Sequence, residues 1–169
     1  MIKPLTHYAN EQLQLVQPSL WKRVYEFRTP DTVLYTMSYP KLFSSLSIVE
    51  GFGETWEVYK PKWWSRTMEI RKTGTEMPFA KFIGKSFGGG GVFELPVGER
   101  VHYRMKFWNG SDELWDEQGR RLVLFKKNVS FKSKITVTIE NQSALLDKYP
   151  WMVIVVYRVI LERRSQAGH

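Results

Sequence analysis

The run Trp151-Met152-Val153-Ile154-Val155-Val156-Tyr157 constrains the fold of this chain more than any other stretch. It has no charged position before Arg158, so whatever it forms is buried on every side. Pro150 precedes it, and proline is well placed in the first turn of a helix. Glu162-Arg163-Arg164 at the far end puts net positive charge where the helix macrodipole is negative. A helix over about 145–163 is expected, although Val, Ile and Val in series also describe a fully buried strand. Even extended through Leu161, the run stays short of the ~20 residues that cross a bilayer as a helix. Such a helix must be wrapped by the rest of the chain.

The wrapping reads as β structure. Val101, Tyr103, Met105 and Phe107 alternate with His102, Arg104, Lys106 and Trp108, the period of a strand with one face in a core. Asn109-Gly110 follows, the dipeptide favoured for a type I′ hairpin turn. Residues 113–117 form the expected return strand, and Gln118-Gly119 turns the chain into another at 121–126. Aromatic and β-branched segments recur at 20–28, 32–39, 43–50, 54–60, 65–72, 79–85 and 92–97, with Pro, Asp and Gly between them. Ile135, Val137 and Ile139 alternate with polar residues in a last strand. About eleven or twelve strands without interleaved helices indicate a sandwich or barrel.

The expected fold is all-β with one C-terminal helix: a closed barrel of about 12 strands enclosing a central apolar helix. One domain spans 20–164. Residues 1–19 are expected to be weakly structured or a first edge strand, and 165–169 a disordered tail.

Composition excludes several classes. With 43% hydrophobic and 25% charged residues, the 169-residue chain is not a disordered or low-complexity sequence. It has no cysteine, which removes disulfides, thiol nucleophiles, Fe–S clusters and cysteine zinc sites. Residues 1–17 show no apolar run of signal-peptide length, so a cytoplasmic protein without a transmembrane segment is expected. The net charge of +8 suits an anionic partner, phosphate headgroups or nucleic acid, and also serves solubility.

Candidate chemistry is sparse. Gly84-Lys85-Ser86-Phe87-Gly88 satisfies G-x-S-x-G, but that nucleophile elbow needs a helix after it, and here further glycines and a strand follow. A P-loop would need glycine where Phe79 stands. His7, His102 and His169 are scattered, so neither a metal nor another cofactor is expected. Asp112, Glu113, Asp116 and Glu117 lack the spacing of a calcium loop and read as solvated hairpin charges.

The basic and aromatic interleaving is more informative. Lys60-Pro61-Lys62-Trp63-Trp64-Ser65-Arg66 sets cations beside two indoles in a connection between strands. Tryptophan suits a membrane interface, and neighbouring Lys and Arg attract anionic headgroups. The competing reading has Trp63 and Trp64 closing one end of the barrel while the lysines face water. Arg104 and Lys106, with His102, form a secondary strip on the outward face of their strand, and Lys126, Lys127, Lys132 and Lys134 surround the loop after Phe125.

The order of elements resembles the tubby C-terminal-like superfamily, which includes tubby domains, phospholipid scramblases and LURP-one-related proteins. The likeness covers most of the chain, 20–164, and is nearest to the small bacterial members. It is carried by the Leu122-Val123-Leu124-Phe125 strand, the β-branched strand at 135–139 and the Tyr149-Pro150-Trp151 approach to the apolar helix. The resemblance implies a roughly twelve-stranded barrel around a hydrophobic helix. It also implies a non-enzymatic binding or adaptor module for anionic phospholipid at a membrane surface. No residue of the tubby phosphoinositide site or the scramblase calcium segment is matched here, so none is carried over.

The expected headgroup-binding residues are Lys60, Lys62, Trp63, Trp64 and Arg66, then Arg104 and Lys106, with a protein partner also open. Two other classes stand beside this one. A β hydrolase of sugars or esters would show converging carboxylates or a Ser–His pair such as Ser86 near His102. A single-stranded nucleic-acid binder would show a basic groove with stacked aromatics, but the sequence has no RNP signature and no basic helix.

Overall fold

The computed structural model describes residues 3–86, 89–128 and 134–167. The described residues form twelve strands: β1 (Leu13–Val16), β2 (Val24–Arg28), β3 (Val33–Ser38), β4 (Ser47–Gly51), β5 (Glu54–Tyr59) and β6 (Thr67–Lys72) lead. β7 (Ala80–Gly84), β8 (Gly91–Glu94), β9 (Arg100–Lys106), β10 (Ser111–Trp115), β11 (Arg121–Lys127) and β12 (Ile135–Ile139) follow. Each is antiparallel to its chain neighbours, and β1 pairs with β12 to close the barrel. Closure leaves no unpaired sheet edge among the described residues.

The N-terminal segment is therefore more structured than expected. β1 is a closing stave rather than an edge, with Leu13 opposite Val137 and Leu15 opposite Phe27. A 3-10 helix before it (Leu5–Tyr8) buries Leu5 and Tyr8. There the Thr6 backbone N–H donates to Asp147 Oδ1 at 2.8 Å, tying the first segment to the last.

The expected helix at 145–163 divides into α1 (Ala144–Lys148) and α2 (Met152–Ala167). The Ser143 side chain caps α1 by accepting from the Leu145 N–H. Tyr149 leaves the helical region (φ −130°, ψ 58°) because the ring of Pro150 disfavours α geometry in the residue before it. α2 settles the helix-or-strand ambiguity at 151–157. It continues to Ala167, so 165–167 are helical rather than a tail, and 168–169 lie outside the described residues.

α2 threads the barrel, and Met152–Arg158 and Ile160 are all buried. It and the preceding Trp151 touch several parts of the wall. Trp151 meets Phe79 and Phe93 edge-on, Tyr157 meets Tyr25 of β2, and Arg158 reaches β4 and β5. A helix with no polar face needs such a closed wall, since each fully buried Val, Ile or Leu contributes about 1.5–3 kcal/mol.

Because consecutive strands run antiparallel, their loops alternate between the two ends. α2 enters at the end holding the loops after β2, β4, β6, β8 and β10. Its last turns emerge at the opposite end, the mouth, among the loops after β1, β3, β5, β7, β9 and β11.

Three sequence expectations shift at the mouth. Phe107 and Trp108 leave the strand pattern, because β9 stops at Lys106 and the core ends there; both are exposed. The turn that follows is not type I′: only Gly110 is left-handed (φ +62°), and Asn109 Oδ1 instead accepts from the Ser111 N–H and hydroxyl. Leu20 and Phe43 likewise sit in loops ahead of β2 and β4. Of the glycine run, Gly88 lies outside the described residues. At Gly89 (φ +60°) a Cβ would strike Met105, and at Gly91 it would strike the ring of Phe82. The glycines let this stretch press against its neighbouring strands.

Candidate functional site

A cavity of about 550 Å³ opens at the mouth between the β5–β6 loop, the β7–β8 loop and the last turns of α2. Met68, Phe82 and Tyr103 make it apolar within, while Trp64, Arg66 and Lys85 border it. A second hollow of about 480 Å³ adjoins it, lined by the loops after β1 and β3. Lys60 and Glu162 border both, and their ion pair at 2.9 Å stands between the two.

Arginines at the end of α2 build the wall behind these hollows. Arg158 is buried and donates to Ser47 Oγ at 2.8 Å, to the Val58 carbonyl at 2.7 Å and to the Ser45 carbonyl at 2.5 Å. Its Nε also reaches Glu162 at 3.1 Å. Arg163 pairs with Asp112 at 2.9 Å and donates to the Tyr103 hydroxyl at 2.9 Å; Met105 Sδ touches the same nitrogen. Burial opposes the charge on Arg163, but its bonds to Asp112 and Tyr103 overcome it and raise its pKa. Burial, with the Asp112 charge beside it, pushes the Tyr103 phenol far above its ordinary value. The helix end is thus held by fixed charges, and the phenol stays protonated.

The sequence-derived site residues divide sharply. Lys62, Trp63, Trp64 and Arg66 share the β5–β6 loop at the mouth. Trp63 and Trp64 are 83% and 63% exposed, so they do not close the barrel end. The two rings meet edge to face at 5.4 Å, and Lys62 lies over Trp64 at 5.6 Å. Lys60 is different: it is half-buried and its charge is taken up by Glu162. Arg66 forms no ion pair among the described residues.

Arg104 and Lys106 do not join this cavity. They alternate with Tyr103, which points inward, and so face outward from the wall. Arg104 stacks over Trp115 at 4.5 Å, and Lys106 pairs with Glu113 at 3.4 Å. Lys132 and His169 fall outside the described residues.

The hairpin carboxylates are not solvated as expected. Asp112, Glu113 and Asp116 are all buried. Asp112 accepts from the Tyr103 hydroxyl at 2.6 Å, Glu113 from Arg121 at 2.6 Å, and Asp116 from Arg120 at 2.9 Å. Only Glu117 remains exposed. Their alternation on β10 made the difference, sending Asp112 to the lumen and Glu113 beneath outer-wall cations.

Ser86 borders the mouth cavity, whereas His102 is on the outer face of β9 opposite Val92 and Trp115, so the two form no pair. Among the described residues no cluster of His, Asp and Glu is placed to hold a metal ion. Sequence reasoning missed Lys85, Glu162 and Arg163 at the mouth. Lys85 was visible only as part of a failed motif, and the α2 residues only as charges closing a helix.

No family model, no curated protein and no solved structure matches this chain. No helix among the described residues is long and apolar enough to cross a membrane.

Proposed function

We propose that the protein is a non-enzymatic binding module that recognises anionic phospholipid headgroups at a membrane surface through the mouth of its barrel. One observation carries this reading. Arg66 and Lys85 border the same cavity, have no carboxylate partner among the described residues, and stand beside two exposed indoles. Unpaired cations keep their attraction for an external anion, and tryptophan beside them is suited to the interfacial layer. Glu162 borders the cavity too, but Lys60 and Arg158 already engage its carboxylate. The resemblance to tubby-like barrels points to the same class of ligand.

Vesicle co-sedimentation at two salt concentrations tests it, with neutral, anionic and phosphoinositide-containing liposomes. The Arg66→Glu/Lys85→Glu protein is run beside the parent. Salt-sensitive binding to anionic vesicles that the variant loses is the expected result. Failure of the parent to bind any vesicle overturns the reading.

A further inference from the structure

The mouth differs from the opposite end in a way that reaches well beyond the cavity. Bulky apolar side chains are exposed on the loop after β1 (Trp21, 97%), after β3 (Phe43, 96%), after β5 (Trp63) and after β9 (Trp108, 87%). Each carries an exposed apolar neighbour as well: Leu20, Leu42, Trp64 and Phe107. Ordinary surfaces show such residues singly, and a concentration at one end marks an interaction site.

These tips belong to one surface. Arg23 donates to the Leu42 carbonyl at 2.8 Å, joining the first two loops. Phe43 and Trp63 line the same hollow, and the ring edge of Phe107 lies beside Gly89 of the β7–β8 loop. Charge follows the same division. By sequence, the six loops on the mouth side contain no Asp or Glu, while they supply Lys22, Lys41, Lys62, Arg66 and Lys85. Loops at the other end carry Asp31, Glu76, Glu99 and Glu117, and their exposed apolar residues are Met77 and Val97, with no aromatic.

We infer that the barrel docks end-on to an anionic bilayer, with Trp21, Phe43, Trp63 and Trp108 entering the interfacial layer and the lysines and arginines at the loop bases meeting headgroups. This deepens the headgroup reading above and rests on it. Aromatic tips with cations behind them match the layered chemistry of a membrane surface, apolar below and anionic at its boundary. A second copy fits less well: its acidic end would answer the cations but offers no aromatic or aliphatic ring of counterparts.

Tryptophan emission on vesicles tests the insertion directly. The probes are phosphatidylcholine with and without phosphatidylserine, and the same mixture with brominated acyl chains. The parent should show a blue shift and quenching by the brominated chains on the anionic vesicles alone. Trp21→Phe/Trp108→Phe should keep binding and lose much of the quenching. Trp21→Glu and Phe43→Glu should each weaken vesicle binding by about tenfold. All three replaced side chains are exposed, so unchanged thermal melts separate these effects from misfolding. Anionic binding without bromolipid quenching overturns insertion and leaves the headgroup reading standing. No vesicle binding overturns both. Absence of vesicle binding together with concentration-dependent association in sedimentation velocity assigns the rim to a second copy, and also overturns the inference.

Discussion

Lys60 Nζ sits 2.9 Å from Glu162 Oε2, so the first residue after β5 is pinned to the emerging end of the core helix. Lys60 therefore differs from Lys62, two positions on, whose side chain is exposed at the mouth. Lys60→Glu sets two carboxylates face to face in a half-buried place, and should cost about 1–2 kcal/mol. Lys62→Glu should change stability by less than about 0.5 kcal/mol. Thermal melts followed by circular dichroism distinguish them, since about 1 kcal/mol moves Tm by roughly 2–4 °C at this size.

Arg158 is the most heavily used charge in the lumen. Arg158→Met keeps much of the volume but strands the Ser45 carbonyl without its donor and leaves the Val58 carbonyl only the longer bond from the Ser47 hydroxyl. The expected loss is about 3–5 kcal/mol, the range for breaking a buried charged network from one side. Urea unfolding should show a lower midpoint at an unchanged m-value.

Acid should loosen the outer wall at Glu113. Burial alone would raise its pKa, but hydrogen bonds from Arg121 and Trp115 and the charges of Lys106 and Arg121 outweigh burial and hold it below 4.5. A carboxyl depressed on folding stabilises the protein above its unfolded pKa, and that contribution fades as pH falls through the folded value. Stability measured against pH should therefore decline below about 4.5. Glu113→Gln should flatten part of that decline while lowering stability at neutral pH. An unchanged slope in the variant would remove Glu113 from the account.

The tryptophans should split into two energetic classes. Trp151 is wholly buried against Phe79, Phe93 and Tyr149, and Trp151→Ala should cost about 3–5 kcal/mol. Trp108→Ser, at a loop tip, should stay within about 0.5 kcal/mol of the parent. Chemical denaturation of both variants checks the contrast.

The barrel was legible because its signals are local and repeated. Alternation at 101–106 and 135–139 marked individual strands, and the run at 151–157 required an enclosure. Strand ends were less legible, since apolar residues such as Leu20-Trp21 and Phe107-Trp108 look like strand residues until the core runs out beneath them. The site was legible only where its residues adjoin in sequence, as at 62–66. Lys85 and Arg163 come to the mouth from strand and helix ends far along the chain, and only the alternation of loop ends brings them there. Periodicity also could not tell the luminal Asp112 from a solvated charge, because its partners, Tyr103 and Arg163, lie 9 and 51 residues away.

The place of α2 in the chain has a consequence for biosynthesis. All twelve staves leave the ribosome before the segment that fills them, and β1 waits for β12 before it has a partner on that side. Until α2 arrives, the nascent chain holds an unfilled apolar lining, with Phe27, Val58, Phe93 and Phe125 still awaiting the helix they surround. Closure is thus a late, long-range event in a barrel whose other strands pair with their chain neighbours, and such non-local pairings form slowly. A chain released without α2 is a hollow shell open to aggregation, whereas one that includes it can bury its lining in a single step.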